Sequence, residues 1–255
     1  MSTTDSDKAW KKFGETDPYF GVLTHERFRT KNLNDEHKKE FFESGVKYTQ
    51  RIYRHFKDHF NVDAPFKSVL DFGCGTGRLA LGFAHESDKV VGIDISEKML
   101  DEARKNAELQ GFKNVEFHLS DDDLSAVKNQ QFDFVNTYIV LQHISPKRGM
   151  VIISQLLDRI KPGGYGMIQT TYSTQKGRLG KTINYFRFRY SLVHGLLNLV
   201  DKKKFNEPLM QMNEYDMSKV FELVHNAGVK QSFVQYTDHG SVLGVSIYLH
   251  KPKEN

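Results

Sequence analysis

Short apolar runs alternate with amphipathic stretches along most of the chain. Apolar residues three and four positions apart predict helices between the runs. Two later runs, 229–236 and 241–250, are joined by a short turn and must therefore be antiparallel. The other runs are predicted to be parallel strands, at 68–72, 90–93, 115–119, 132–137 and 165–170. The pattern predicts an α/β fold with a sheet covered by helices on both faces.

The remaining segments complete a single domain over residues 1–255. Residues 1–33 are aromatic and irregular, and residues 34–60 have helical periodicity, so 1–60 is interpreted as an N-terminal helical cap. The core spans 66–170. Residues 171–215 interrupt the strand and helix alternation and are interpreted as an inserted lid. The terminal helix and β-hairpin occupy 216–255.

Composition excludes few classes of protein. The formal net charge is +4, from 36 basic and 32 acidic residues, so overall charge indicates no class of partner. The single cysteine, Cys74, excludes an intrachain disulfide and fits a reducing compartment. The N-terminus lacks a signal-peptide pattern, and no apolar run approaches the roughly 18 residues of a membrane span. A cytoplasmic location is therefore expected.

A glycine turn follows the first predicted strand. Residues 69–78 read V-L-D-F-G-C-G-T-G-R, with Asp71 before Gly73, Gly75 and Gly77. Strand, glycine turn and helix form a nucleotide-sized pocket in α/β proteins, because glycine allows positive φ and close approach of a ligand to the backbone. The G-x-G-x-G spacing differs from the G-x-G-x-x-G of pyrophosphate binding. It points away from a dinucleotide and toward another adenosine-containing ligand.

Acidic residues end the next two strands. Asp94 ends the second strand, where a carboxylate can accept hydrogen bonds from vicinal ribose hydroxyls. Asp121, Asp122 and Asp123 follow the third strand. Their register is open, and one of them is expected to cap a helix or lie in solvent. No histidine or second acidic cluster has matching spacing, so no metal site is predicted.

Five segments in order resemble the class I S-adenosylmethionine-dependent methyltransferases. They are the glycine turn, V-G-I-D-I-S-E-K-M-L-D-E-A (91–103), V-E-F-H-L-S-D-D-D-L (115–124), F-D-F-V-N-T-Y-I-V-L-Q-H-I (132–144) and L-L-D-R-I-K-P-G-G (156–164). The resemblance implies a Rossmann-like, seven-stranded sheet of order 3-2-1-4-5-7-6 with strand 7 antiparallel. It also implies S-adenosyl-L-methionine as cofactor and S-adenosyl-L-homocysteine as product.

The same resemblance assigns roles to individual residues. Asp71 is implied to hold the cofactor's amino group, and the three glycines its methionyl part. Asp121 or Asp122 is implied to accept from the adenine amine. Beyond these, Ile95 and Met99 are expected beside the ribose and adenine, and Thr137 and Tyr138 under the sulfur.

The sequence after strand four bears on the methyl acceptor. It reads N-T-Y-I at 136–139, not the [DNS]-P-P-[YF] of the branches that methylate nucleic-acid bases or amides. The V-L-Q-H-I stretch resembles instead the branch acting on small molecules.

His143 is a candidate general base, because an unperturbed histidine pKa of about 6.5 suits that role. A packed, hydrogen-bonded histidine is the alternative reading.

The insertion is basic and aromatic. Ile183, Phe186, Tyr190, Val193, Leu197 and Val200 fall on one helical face. A lid over the sheet, a dimer or membrane-surface helix, and an RNA-binding face remain open. Its basic residues, opposed by the one acid Asp201, are Lys176, Arg178, Lys181, Arg187, Arg189, Lys202, Lys203 and Lys204; Tyr185 and Phe188 add further aromatic side chains.

Candidate acceptor-binding residues come from the segments that the resemblance covers least. Trp10, Phe13, Tyr19 and Phe20 form a second candidate cap over the cofactor. Tyr19, Tyr172, Arg187 and His239 are predicted to contact the acceptor, with Arg187 able to hold an anionic one.

These patterns predict transfer of a methyl group to an O or N nucleophile of a small molecule. A tRNA-modifying enzyme and a non-catalytic scaffold that binds the same cofactor are the alternatives. A homodimer is compatible with the sequence, and nucleic acid is not the expected partner.

Overall fold

A seven-stranded mixed sheet is the centre of the fold. The computed structural model describes residues 4–63, 66–175, 180, 182–183, 186–187, 190–201, 203–240 and 242–253. The strand order is β3-β2-β1-β4-β5-β7-β6, and β7 is antiparallel to both of its neighbours. The predicted fold is thus confirmed. The strands are β1 Ser68–Phe72, β2 Lys89–Asp94, β3 Val115–Leu119, β4 Phe132–Thr137, β5 Ile160–Thr174, β6 Gln231–Asp238 and β7 Val242–His250.

Helices precede the sheet and cover both of its faces. Asn34 caps the long third helix by accepting from the His37 amide at 2.8 Å, and Asn61 ends it in the left-handed conformation. Ser96 caps the helix after β2 through the Met99 amide. The helices are α1 Thr4–Thr16, α2 Pro18–Val22, α3 Asp35–Phe60, α4 Arg78–Ala84, α5 Glu97–Leu109, α6 Pro146–Asp158, α7 Ser191–Val200 and α8 Met217–Asn226.

The two faces of the sheet have separate apolar cores. On one face, α6 and α8 pack over β4, β5 and β7. On the other face, α3, α4 and α5 cover β1 and β2. Here α3 and α4 approach so closely that a Cβ on Gly45 would lie 2.2 Å from the Arg78 carbonyl oxygen. This contact fixes the start of α4, which follows the glycine turn directly.

Two segments differ from the sequence-based expectation. Residues 1–33 were expected to be irregular, but α1 and α2 occupy most of them. Phe13 and Phe20 of these helices pack on Met99 of α5, so contacts with the rest of the domain stabilise two helices that would be marginal as isolated segments of their length. Strand β5 continues to Thr174 instead of ending at 170, because β7 pairs with it over that length.

Helix α7 turns its polar side toward the protein. Asn198 is 1% exposed and donates to the carbonyl oxygens of Phe205 and Glu207 at 3.2 and 3.0 Å. Leu192 and Leu196 on the other side are 65% and 54% exposed.

The prediction that six apolar residues of the insertion share one helical face was therefore wrong in part. Val193 and Leu197 are half-buried, but Tyr190 and Val200 are exposed, because the hydrogen bonds of Asn198 orient the helix. Ile183 and Phe186, which precede α7, are also exposed. The other residues predicted in this segment, Lys176, Arg178, Lys181, Tyr185, Phe188, Arg189 and Lys202, lie outside the described residues.

In the part of the chain that the structure describes, no helix has the length and apolar character needed to cross a membrane.

Candidate active site

A cavity opens at the carboxyl ends of β1, β2 and β4. Counted together with the open solvent at its mouth, its empty volume is about 1000 Å³. Helix α1 lies over it, and the Ser6 hydroxyl donates to the His143 carbonyl oxygen at 2.6 Å. The lining residues are Ser6, Asp7, Trp10, Gly21, Val22, Asp71, Phe72, Gly73, Cys74, Gly75, Arg78, Leu79, Asp94, Ile95, Met99, Ser120, Asp121, Asp122, Tyr138, Ile139, Val140, His143, Ile144, Arg148 and Ile152.

The glycine turn forms one wall of the cavity. Gly73, Gly75 and Gly77 all have positive φ, at +74°, +55° and +89°. A Cβ on Gly73 would lie 2.3 Å from a Val140 methyl, and one on Gly75 2.5 Å from a Val22 methyl. Both positions thus require glycine for conformation and for space. Gly77 does not line the cavity but caps α4.

Asp71 lies at the inner end of this wall and is 2% exposed. Its Oδ1 accepts from Asn136 Nδ2 at 2.7 Å, whereas its Oδ2 is buried and accepts no hydrogen bond from a described residue. Burial raises the pKa of Asp71 to about 7, and the Asn136 hydrogen bond and the positive charge of Arg78 act in the opposite direction. Because an unsatisfied buried polar atom costs about 1–3 kcal/mol, this oxygen is suited to receive a donor from a ligand.

Asp94 joins the glycine turn to the start of α5. Its Oδ2 accepts from the Gly75 amide and its Oδ1 from the Ser96 amide, each at 2.9 Å. Burial raises the pKa of the Asp94 carboxyl, and these two hydrogen bonds oppose the shift. Each carboxylate oxygen keeps a further lone pair for a hydroxyl donor. The predicted neighbours Ile95 and Met99 line the same wall.

The three acidic residues after β3 have different partners. Asp121 lines the cavity and also caps a turn, since its Oδ1 accepts from the Ser125 amide at 2.9 Å, which lowers its pKa. Asp122 also lines the cavity but pairs with Arg148 at 2.5 Å. Arg148 in turn binds Asp7 of α1 at 2.6 Å. Asp123 does not line the cavity.

The loop after β4 forms the opposite wall. Tyr138 lines the cavity and stacks on Tyr48 with a centroid distance of 4.2 Å. Thr137 is fully buried beneath the wall and does not line the cavity. Ile139 has φ +60°, which is strained for a β-branched residue, and its amide donates to Gln169 Oε1 at 3.0 Å.

His143 lines the cavity as a buried and largely hydrogen-bonded ring. Its Nδ1 lies 2.6 Å from the Gln211 carbonyl oxygen, so Nδ1 carries the proton and Nε2 is left as the basic nitrogen. Nε2 lies 3.2 Å from the Gln142 side-chain nitrogen, and the ring packs on Trp10 at 4.8 Å. Burial lowers the pKa of His143 to about 4, against a smaller opposite effect of the Gln211 hydrogen bond. The ring is therefore neutral near pH 7.

Two of the predicted acceptor-binding residues lie outside the cavity because their polar groups are bonded elsewhere. The Tyr19 hydroxyl donates to Asn106 Oδ1 at 2.9 Å. Arg187 pairs with Asp201 at 3.1 Å, so it is not free to hold an anion.

The other two predicted acceptor-binding residues also fail to reach the cavity. Tyr172 packs against the core beneath α6 and α8. His239 is the nearer of the two, with its ring 6.0 Å from that of Tyr138.

Several residues that line the cavity were not predicted from the sequence. Arg78 was given no role, although a basic residue immediately after a glycine turn is a signal that the sequence does contain. Arg148, Ile139 and Val140 had no signal, since the packing of α1 and the β4 loop places them there.

The sheet order and the cavity at the strand ends are those of a class I methyltransferase. Residues 65–232 match the family described as Methyltransferase domain, and the chain belongs to that family. The solved magnesium protoporphyrin IX methyltransferase from Synechocystis PCC 6803, with bound SAM, shares the fold at a TM-score of 0.59 and 16% identity, covering 97% of each chain. A SAM-dependent methyltransferase from Methanosarcina mazei has a TM-score of 0.56 at 19% identity, covering 76% of this chain and 97% of that one.

Curated relatives match a shorter segment. The ubiquinone biosynthesis O-methyltransferase of Acinetobacter baylyi is 32% identical over 114 residues, or 44% of this chain and 47% of the relative. That of Coxiella burnetii is 35% identical over 98 residues, or 38% and 41%. The match thus spans less than half the length of either relative.

Asp71 leads to a pH-dependent prediction. Because its pKa is about 7, its carboxyl is protonated at lower pH and loses its attraction for an ammonium group. Affinity for S-adenosylhomocysteine, measured by calorimetry, is expected to fall by up to about tenfold per pH unit below about pH 7. Asp71→Asn is expected to bind about 10- to 100-fold more weakly without this dependence. An affinity of the unsubstituted protein that stays constant from about pH 8 to 6 would contradict the assignment.

Proposed function

We propose that the protein transfers a methyl group from S-adenosyl-L-methionine to an O or N nucleophile of a small molecule. The observation that carries the proposal is the buried, unpaired Oδ2 of Asp71 beside the glycine turn. It offers a carboxylate to the amino group of the methyl donor, and the turn allows close approach of the donor to the backbone. The bound donor supplies an electrophilic methyl group on a sulfonium.

The cavity walls fit the other parts of this donor. Asp94 would accept from the ribose hydroxyls, with Ile95 and Met99 against the sugar and base. Asp121 or Asp122 lies farther along the same edge, where an adenine amine would donate. Tyr138 stands on the opposite wall, at the methionyl end. The chain's contribution to rate is then to hold donor and acceptor in line and to exclude water beneath α1.

A small acceptor is favoured over a macromolecule for three reasons. Helix α1 covers the cavity and is tied to its walls by Ser6 and Asp7. The strand-four sequence lacks the paired prolines of the base- and amide-methylating branches. The relatives are named for ubiquinone biosynthesis and magnesium protoporphyrin IX, and O-methyltransferase in the first name favours oxygen. A cytoplasmic location is part of the same proposal, and a homodimer is compatible with it.

The proposal is tested by binding and transfer together. S-adenosylhomocysteine is expected to bind in calorimetry, and labelled methyl groups are expected on a member of a panel of phenols, acids, amines and sugars. Binding of NADH in place of S-adenosylhomocysteine would overturn the proposal. Salt-dependent binding and labelling of bulk tRNA would favour the RNA-modifying alternative. Binding without any transfer would favour a scaffold.

We further propose that His143 accepts the acceptor's proton at Nε2. The ring is neutral near pH 7 and can accept a proton, but the burial that lowers its pKa to about 4 makes it a weaker base than the unperturbed ring that the sequence suggested. Gln142 must also give up its contact with Nε2. His143→Ala is expected to reduce turnover of the labelled acceptor about 100-fold or more and to leave affinity for S-adenosylhomocysteine within about threefold. His225→Ala, on the exposed side of α8, is the matched control. Unchanged turnover in His143→Ala would show that the ring has only a packing role.

A further inference from the structure

Arg78 is a buried arginine that lacks an ion-pair partner in the described chain. It is 6% exposed and lines the cavity from the first position of α4. Its NH1 reaches the Ser44 hydroxyl only at 3.4 Å, and its Nε has no hydrogen-bond partner. Two other arginines of low exposure differ sharply: Arg29 pairs with three carboxylates and Arg148 with two.

Burial of this charge needs compensation. Burial lowers the pKa of Arg78, yet a guanidinium stays protonated in proteins. Its centre lies 5.9 Å from the Tyr48 ring, and Arg51, a second guanidinium, lies 5.1 Å from the same ring. An aromatic face contributes only modestly to a buried cation. An anionic ligand in the cavity would compensate the charge far better.

The neighbour of Arg78 indicates which ligand this is. Asp71 lines the same part of the cavity, is influenced by the charge of Arg78, and has its own unpaired oxygen. One unpaired carboxylate oxygen and one guanidinium without an ion-pair partner among the described residues match the ammonium and carboxylate that an α-amino acid carries on a single carbon.

We propose that Asp71 and Arg78 together bind the amino-acid end of the methyl donor, with Arg78 holding its carboxylate. This inference rests on the proposed function. It adds a charge-specific contact that the glycine turn, with its amides directed to Ile93 and Asp94, does not provide.

The test removes either the carboxylate of the ligand or the guanidinium of Arg78. Calorimetry compares S-adenosylhomocysteine with its decarboxylated analogue, which lacks only the carboxylate. The unsubstituted protein is expected to bind the analogue about 10- to 100-fold more weakly. Arg78→Met, which keeps an unbranched side chain, is expected to lose the same factor for S-adenosylhomocysteine and nothing for the analogue. Arg78→Lys is expected to be intermediate.

The outcomes separate the two proposals. Equal affinity of the unsubstituted protein for both ligands overturns the role of Arg78, even if the Met variant does not fold. Equal losses for both ligands in Arg78→Met overturn it as well. Failure of the unsubstituted protein to bind S-adenosylhomocysteine overturns the proposed function itself.

A second and independent observation is the outward face of α7. Leu192, Leu196, Leu199 and Val200 are 65%, 54%, 55% and 78% exposed and follow one another at helical spacing. The polar side is held inward by a network: Arg187 donates to Asn198 Oδ1 at 2.5 Å, and His194 Nε2 lies 2.8 Å from the Glu207 carbonyl oxygen. The leucines therefore cannot turn inward without breaking buried hydrogen bonds. Together, Leu192, Leu196, Leu199 and Val200 form the α7 leucine face.

The charge of the segment that contains α7 indicates what covers the α7 leucine face. By sequence, residues 176–204 hold eight basic residues and one acid. Among the residues that the structure describes, Arg187 pairs with that acid, Asp201. Lys203 and Lys204 are exposed directly after the helix. Two copies of so basic a segment would repel each other across a dimer interface. We propose that the α7 leucine face binds an anionic lipid surface, with leucines among the acyl chains and lysines at the headgroups.

Vesicle sedimentation tests the lipid proposal. The protein is expected to bind phosphatidylcholine vesicles containing phosphatidylglycerol at least about tenfold better than phosphatidylcholine alone. The double variant Leu196→Glu/Leu199→Glu is expected to lose this binding about tenfold or more. Leu109→Glu is the control, because Leu109 is 72% exposed at the end of α5.

Three results would overturn the lipid proposal. They are no binding to the anionic vesicles, equal binding by the double variant, and a dimer in light scattering that the double variant converts to a monomer. The last result would assign the face to a second copy of the chain.

Discussion

The cavity depends on the hydrogen bonds that hold the glycine turn to the neighbouring strand. The amides of Gly73 and Cys74 both donate to the Ile93 carbonyl oxygen, at 2.8 and 3.1 Å, and the Gly75 amide donates to the Asp94 carboxylate. These bonds direct the chain out of β1 and back into α4 within a few residues. Asp71 precedes the turn and Arg78 follows it. The turn thereby brings both residues to the same end of the cavity.

The sheet and the cavity wall formed by the glycine turn were predictable because their signals are local. A strand that ends in an acid, a turn that needs positive φ and a capped helix each leave a pattern in a few consecutive residues. The order of the strands followed from the resemblance and from the short link between β6 and β7. Asp71, Asp94, Ile95 and Met99 accordingly line the cavity at the carboxyl ends of the strands, and their contacts with the methyl donor stay a prediction.

The positions of the residues expected to contact the methyl acceptor could not be predicted in the same way, because they depend on contacts between distant segments. In the sequence, Arg187 looks like a basic residue available to a ligand. In the structure it pairs with Asp201 and donates a hydrogen bond to Asn198 of α7. Tyr19 reads as part of an aromatic cap, but Asn106 on α5 takes its hydroxyl. The face that α7 exposes was wrongly assigned for a related reason. A prediction from hydrophobic periodicity places the apolar side of a helix against the protein. In α7 the buried hydrogen bonds of Asn198 place the polar side there instead.

Helix α1 has a consequence for how the cavity is reached. Ser6 binds the carbonyl of His143, and Asp7 binds Arg148, so the first turns of α1 are fastened at the rim of the cavity. A ligand that enters or leaves past α1 must therefore separate these two contacts from the rim. The rate of ligand exchange is then set by how often the N-terminal turns of α1 detach, rather than by diffusion to an open cleft.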